Sequence, residues 1–268
     1  MKQFQKKITI ASIWENGEPD HWIVGKWFIG HIFTNTNTHG NTTKTVYLIT
    51  TKKFYQREIE LEPESIDGHD SGKDKKGSIK MLEREGSYYH IYYTPRPIIP
   101  TKHTERDYQS KLVQDIIATF ERLDYVVALI SGSPNKGKSM VPLFIAKQLA
   151  SCGKKVSICD TFNPTEAGDS FGSIYSKMNP NSSEPLILVM EEVDILISKI
   201  LNGISPHKNI PIQIREKPDW NTFLDRFDRQ LYSGVILVMT TNKPFSFFES
   251  LDPSLMREGR VNLRFQIA

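Results

Sequence analysis

A glycine-led loop with two lysines and two serines closes an apolar run in the middle of the chain. The run is YVVALI, and after Ser131 the loop continues as GSPNKGKSM. Its glycines, second lysine and following serine fit the spacing G-x-x-x-x-G-K-[ST], in which main-chain N–H groups curl around anionic oxygens and the next helix adds its positive dipole end. The spacing therefore predicts a phosphate cradle made of Gly132, Ser133, Pro134, Asn135, Lys136, Gly137, Lys138, Ser139 and Met140.

Individual roles follow from this pattern. Lys138 is expected to reach the β- and γ-phosphates of a nucleotide, and Ser139 to ligate magnesium. Lys136 leaves two alternatives, a second positive charge beside the phosphates or a side chain that points to water. A glycine turn with surface lysines is the alternative for the whole loop, and the position between an apolar strand and a helix disfavours it.

Two carboxylates follow a second apolar run, LILVM. A strand that delivers Glu191 and Glu192 at its carboxyl end suits metal binding and water activation beside a phosphate loop. We expect Glu191 to hold magnesium through its water shell and Glu192 to be the general base for the attacking water. The alternative is that both acids merely occupy the solvated start of the next helix, where negative charge is favoured.

An asparagine and two arginines complete the candidate site. Asn242 ends the apolar run VILVMTT, where it would hold the attacking water or a γ-phosphate oxygen, or serve as an ordinary turn residue. Arg257 and Arg260 lie in LDPSLMREGR. In a monomer they would be surface arginines; in a ring of subunits they would point into the neighbour's nucleotide.

Composition narrows the class of protein. The chain has 268 residues, and its net charge of +3 is too small to indicate nucleic-acid binding by itself. Cys152 and Cys159 are the only cysteines and the histidines show no ligand spacing, which disfavours disulfide scaffolds and zinc clusters and favours a reducing compartment. Without a signal peptide, targeting segment or apolar run of ~20 residues, the chain is expected to be intracellular, in the cytoplasm, with no membrane segment.

The pattern of elements changes near residue 98. Before it, β-branched and aromatic runs between polar turns predict a small β-rich domain over residues 1–98. Its rings form either a stacking platform or, as we favour, the core of that domain: Trp14, Trp22, Trp27, Tyr88, Tyr89, Tyr92 and Tyr93. The three prolines of residues 94–101 predict an extended connector.

A second domain is predicted over residues 99–268. The connector and an amphipathic helix with Thr104 as its N-cap make up residues 99–124. From Tyr125 onward, continuous apolar strands alternate with helices. This pattern is typical of an α/β fold with a parallel sheet covered on both faces.

Four segments resemble the Walker A, Walker B, sensor-one and arginine-finger motifs of the AAA family of ATPases in order and spacing: GSPNKGKS, LILVMEEVD, VMTTNKP and LDPSLMREGR. Within that family, the chain is similar to the Rieske-protein translocases that assemble mitochondrial respiratory complex III. Three segments carry the narrower resemblance: VSICDTFNPTEAGDSF, DWNTFLDRFD and KTVYLITTKKFYQREI. Glu191 and Asn135 stand where the family usually has aspartate and glycine.

The resemblance implies a P-loop ATPase that binds ATP and Mg²⁺ and works as a homo-oligomeric ring to remodel or translocate a protein substrate. It assigns Lys138 and Ser139 to phosphate and magnesium, Glu191 to the Walker B acid, Glu192 to the catalytic glutamate, Asn242 to the sensor, and Arg257 and Arg260 to the fingers. The family's helical lid is expected to be absent. The alternative function is a nucleotide-dependent binding module with weak or no turnover, serving nucleic-acid replication or packaging, although the weak basic balance counts against nucleic acid.

Overall fold

The computed structural model describes residues 8–15, 18–36, 42–51, 77–87 and 90–267. The chain divides into two compact units, residues 1–71 and 72–268. No helix within the described ranges has both the length and the apolar character needed to cross a bilayer.

The first unit contains an antiparallel sheet with strands in the order β1-β2-β3-β4. These strands are Ile8–Glu15 (β1), Glu18–Gly25 (β2), Phe28–Thr36 (β3) and Thr42–Thr50 (β4). Because side chains alternate between the two faces of a strand, Phe28 and Ile32 point to the same face and join Ile23 in a small core. The β-rich first unit predicted from the sequence is thus present.

The opposite face of this sheet carries exposed aromatic rings. Trp22, His31 and Tyr47 lie directly opposite one another across β2, β3 and β4. Trp22 is 58% exposed and Tyr47 is 63% exposed. The expectation that the rings fill a core is therefore wrong for Trp22, because strand alternation places it on the face away from Ile23. It is also wrong for Trp27, which is 54% exposed in the turn between β2 and β3.

The other aromatic residues of that prediction are either in the second unit or have side chains that the structure does not describe. Tyr93 is buried, whereas Tyr92, its neighbour on the same strand, is 41% exposed. Trp14, Tyr88 and Tyr89 lie outside the residues whose side chains are described.

The second unit is built on a sheet whose described strands follow the order β11-β7-β10-β9-β8-β5-β6. These strands are Ser78–Ser87 (β5), His90–Ile98 (β6), Tyr125–Gly132 (β7), Lys155–Cys159 (β8), Leu186–Met190 (β9), Val235–Thr241 (β10) and Leu263–Ile267 (β11). All neighbouring pairs are parallel except β5 and β6, which form an antiparallel hairpin. The predicted α/β core with a largely parallel sheet is confirmed.

The predicted boundary at residue 98 assigned strands β5 and β6 to the first unit. In the structure they belong to the second unit. The division falls between residues 71 and 72, and Ile79 of β5 pairs in parallel with Val156 of β8. The predicted connector over residues 94–101 is in large part strand β6. Its Pro95 and Pro97 are tolerated because β6 is outermost among the described strands on its side of the sheet, where an N–H that faces away from β5 has no ladder partner to lose.

Helices cover both faces of the core sheet. They are Asp107–Leu123 (α1), Val141–Ser151 (α2), Phe171–Met178 (α3), Val193–Leu201 (α4), Lys217–Asp228 (α5) and Phe245–Leu251 (α6), with 3₁₀ turns at Lys138–Met140 and Pro253–Met256. Val126, Ala128 and Ile130 of β7 pack with α1 and α2, and Val127 and Leu129 pack on the opposite face. Burial of both faces explains the continuous apolar run from Val126 to Ile130 in β7.

Helix α1 begins at Asp107, three residues after the predicted cap. The main-chain N–H of Arg106 donates to Oε1 of Gln109 at 2.9 Å, so Gln109 satisfies the helix start from within the first turn. Thr104 therefore does not cap this helix.

Candidate functional site

The loop between β7 and α2 has the backbone of an anion cradle. Asn135 and Gly137 have φ angles of +63° and +76°, in the left-handed region. Asparagine enters that region more readily than most side chains, which explains how the loop accommodates a residue other than glycine at position 135. Gly132 lacks a side chain for another reason, since a Cβ there would lie 2.7 Å from the carbonyl oxygen of Ile267 on β11.

Lys138 turns its ammonium group back into the loop. Its Nζ donates to the carbonyl oxygens of Gly132 at 2.7 Å and Ser133 at 2.8 Å, and to Oδ1 of Asn242 at 2.8 Å. The side chain is buried, and burial lowers the pKa of the ammonium group while the nearby charges of Glu191 and Asp194 partly oppose that shift. Two predicted site residues that follow different strands, Lys138 after β7 and Asn242 after β10, are thus in direct contact.

Glu191 and Glu192 follow strand β9 and are both exposed. Glu192 has φ 51° and ψ 44°, a left-handed conformation that is costly for a residue with a side chain. Strained backbone of this kind is concentrated at functional sites, where the surrounding structure holds it in place. Helix α4 begins at the next residue, so a rigid element fixes the position of the acid pair.

Asp194 and Thr241 form a buried pair that sequence reasoning missed. Thr241 Oγ1 donates to Asp194 Oδ1 at 2.7 Å and accepts from the N–H of Lys243 at 3.0 Å. Ser131 Oγ donates to the carbonyl of Lys243 at 2.6 Å. These bonds fix the turn that carries Asn242 between β7 and α4. The sequence does place an acid, Asp194, in the first turn of α4. That acid alone does not indicate a buried pair, because its partner Thr241 is distant in the sequence.

The loop, the acid pair and the end of β10 enclose a cavity of about 410 Å³. It is lined by Pro134, Asn135, Lys136, Gly137, Lys138, Ser139, Glu191, Glu192, Thr240, Thr241 and Asn242. Of the predicted cradle residues, Gly132, Ser133 and Met140 are not part of this lining. Lys136 does line it.

The donor set of this cavity fits a triphosphate with magnesium. An ammonium group and glycine-rich backbone face one side, and the exposed hydroxyl of Ser139 and carboxylate of Glu191 are oxygen ligands of the kind that magnesium prefers. The left-handed angles at Asn135 and Gly137 give the loop the concave backbone that binds anions.

Arg257 and Arg260 differ sharply in their surroundings. Arg260 is 6% exposed, with Nε and Nη2 2.6 and 3.0 Å from the two carboxylate oxygens of Asp225 and with Nη1 2.6 Å from Asn221 Oδ1. The side chain of Arg257 is 47% exposed and contacts Asp225 at 3.0 Å. The structure therefore buries Arg260 within the chain and leaves Arg257 as the accessible member of the pair. Neither lines the 410 Å³ cavity.

The parallel sheet and the glycine-rich loop at the end of β7 define a P-loop ATPase-like fold. A family profile described as "ATPase family associated with various cellular activities (AAA)" matches residues 128–268, more than half of the chain. The chain belongs to this family.

Comparison with solved structures gives distant likenesses. The ORC2 protein of Aeropyrum pernix, solved as ADPNP-ADP complexes, is 14% identical over 63% of this chain and 48% of that chain, with a TM-score of 0.45. PCH-2 of C. elegans is 13% identical over 62% of this chain and 44% of that chain, with a TM-score of 0.38. The chain thus matches about half the length of the first of these structures. No curated protein matches the sequence.

Proposed function

We propose that this protein hydrolyses ATP and couples turnover, in a homo-oligomeric ring, to remodelling or translocation of a protein substrate. The convergence of Lys138, Asn242 and the acid pair around one cavity carries the proposal. Family membership supports the ATPase activity. The ring and the protein substrate are proposed from the resemblance to the Rieske-protein translocases.

Each residue has a role that suits its position. Lys138 would neutralise the β- and γ-phosphates after exchanging one or more of its three hydrogen-bond partners for phosphate oxygens. Ser139 and Glu191 would hold magnesium, which neutralises charge on the transferred phosphoryl group. Glu192 would accept a proton from the attacking water, and Asn242 would orient that water or the γ-phosphate. Arg257 would reach a neighbouring subunit's nucleotide.

ATP turnover by the purified protein tests this proposal. Glu192→Gln keeps the size and polarity of the side chain and removes the base, so we expect turnover to fall by about 10²-fold or more with little change in ATP affinity. Glu184→Gln is the matched control, because Glu184 is an exposed glutamate that pairs with Lys155 near the amino ends of β8 and β9.

The same assay distinguishes the enzyme from a nucleotide-dependent binding module. A wild-type protein that binds ATP but hydrolyses none at any protein concentration would establish the binding module instead. Lys138→Ala is expected to abolish binding of a non-hydrolysable ATP analogue in titration calorimetry. Unchanged affinity in that variant would refute the assigned cradle.

A further inference from the structure

The first turn of α1 contacts the phosphate loop from the side. Gln109 is 3% exposed, and its Nε2 donates to the carbonyl oxygen of Gly137 at 2.9 Å. The hydroxyl of the preceding residue, Tyr108, donates to the carbonyl oxygen of Lys136. Adjacent residues of α1 therefore hold two successive carbonyl groups of the loop.

The contact at Gln109 depends on the absence of a side chain at Gly137. A Cβ at that position would lie 2.7 Å from Gln109 Nε2, closer than such atoms approach one another. Gly137 also has φ +76°, so both its conformation and its neighbour require glycine.

Planarity of the peptide bond links these contacts to the cavity. In a trans peptide, the carbonyl of one residue and the N–H of the next point in opposite directions. Carbonyls held by α1 at Lys136 and Gly137 therefore direct the N–H groups of Gly137 and Lys138 away from α1. Gly137 and Lys138 both line the 410 Å³ cavity, and main-chain N–H groups are the donors that a phosphate requires.

We propose that Gln109, assisted by Tyr108, is a positioning residue that sets the orientation of the Gly137–Lys138 peptide for phosphate binding. Gln109 joins this peptide to the start of α1, because its amide donates to Gly137 while its Oε1 accepts from Arg106. The proposal rests on the proposed function, since it assumes that the loop binds a nucleotide.

Gln109→Glu separates the two roles of this side chain. The carboxylate keeps an acceptor for the N–H of Arg106, but it has no donor for Gly137 and places negative charge beside a carbonyl oxygen. We expect the dissociation constant for a non-hydrolysable ATP analogue to rise about tenfold, the loss expected for one hydrogen bond. Tyr108→Phe, which removes a single hydroxyl from a partly exposed ring, is expected to raise the constant about threefold.

Gln114→Met and Gln109→Met form a matched pair, because Gln114 is an exposed glutamine on the same helix. We expect Gln114→Met to bind the analogue like wild type and Gln109→Met to bind it about tenfold more weakly. In turnover assays, Gln109→Glu should raise KM for ATP about tenfold with kcat within twofold of wild type. General loosening of the fold would instead lower kcat and Tm in parallel.

Two results would overturn the positioning role while leaving the proposed function intact. One is wild-type analogue affinity in both Gln109→Glu and Tyr108→Phe; the other is an equal loss of affinity in Gln114→Met and Gln109→Met. Failure of the wild-type protein to bind the analogue is a different result, since it would refute the proposed function itself.

Discussion

The ammonium group of Lys138 has three hydrogen-bond donors, and three protein oxygens accept from it. A phosphate must therefore displace some of these partners, and the energy gained from the new contacts is offset by the bonds lost. Asn242 is the partner most readily exchanged, because it is an exposed side chain whereas the other two acceptors belong to the loop backbone.

Asn242→Ala tests this exchange. Removing the side chain deletes a competitor for Lys138 and also the group proposed to orient the attacking water. We therefore expect ATP affinity to remain within about threefold of wild type while kcat falls roughly 10- to 100-fold. Calorimetric titration with a non-hydrolysable analogue and steady-state turnover give the two quantities. A loss of affinity as severe as that of Lys138→Ala would contradict the exchange.

At the scale of single residues, the sequence was most informative where the chemistry is local. The phosphate loop lies within ten consecutive residues, so spacing alone predicted its glycines, Lys138 and Ser139. The Asp194–Thr241 pair was missed because its members are 47 residues apart and meet only through the pairing of β9 with β10. No local pattern in the sequence marks such a pair.

At the scale of elements, α5 fixes the segment that carries the arginines. Asp225 on this helix accepts hydrogen bonds from both Arg257 and Arg260. The hydrogen bonds and charge of Arg260, with a smaller contribution from Arg257, outweigh burial and lower the pKa of the Asp225 carboxyl group. The ionised form of Asp225 is therefore favoured in the folded protein.

Substitution of the two arginines should give different results. Arg260→Ala breaks an enclosed ion pair and is expected to cost about 3 kcal/mol in the free energy of unfolding. Arg257→Ala removes an exposed ion pair and should lower the free energy of unfolding by less than about 1 kcal/mol. If Arg257 acts on a neighbouring subunit's nucleotide, the same substitution should lower ATP turnover about 10³-fold. Urea denaturation and turnover assays measure these effects. Full turnover in Arg257→Ala would remove it from the candidate site.

The lowered pKa of Asp225 also predicts a pH dependence. A carboxyl group with a depressed folded-state pKa contributes stability above its unfolded pKa of about 3.9, and that contribution is lost as pH falls through the folded-state value. Asp225→Asn should therefore be less stable than wild type at pH 7, with a difference that narrows as pH falls below about 4. Urea unfolding across this pH range measures it, and a constant difference would show that Asp225 is not the titrating group.

Prediction from the sequence was weakest for strand β5, because it joins the core sheet beside a strand that lies far from it in the sequence. The β-branched and aromatic runs before residue 98 predicted strands, but their local pattern did not show which sheet each strand joins. Pairing of β5 with β8 connects residues about 77 positions apart. Arg260 illustrates the same limit, since its burial depends on Asp225, which lies 35 residues earlier.

At the scale of the whole molecule, the proposed ring makes activity depend on protein concentration. If Arg257 acts on a neighbouring subunit, isolated subunits lack a group needed for turnover, so specific activity should rise with concentration and then reach a plateau. Light scattering with a non-hydrolysable ATP analogue should show a mass several times that of one chain. A monomer at all concentrations, with constant specific activity, would exclude a finger acting between subunits.

The prolines of β6 have a consequence for how copies of this protein meet. Among the strands that the structure describes, β6 is the outermost of the core sheet on its side, and Pro95 and Pro97 remove two main-chain donors from it. A foreign strand that docked alongside would form an interrupted ladder, which discourages the edge-to-edge pairing that leads to fibrous aggregates. At high protein concentration, neighbouring copies of the chain should therefore resist joining their sheets through β6.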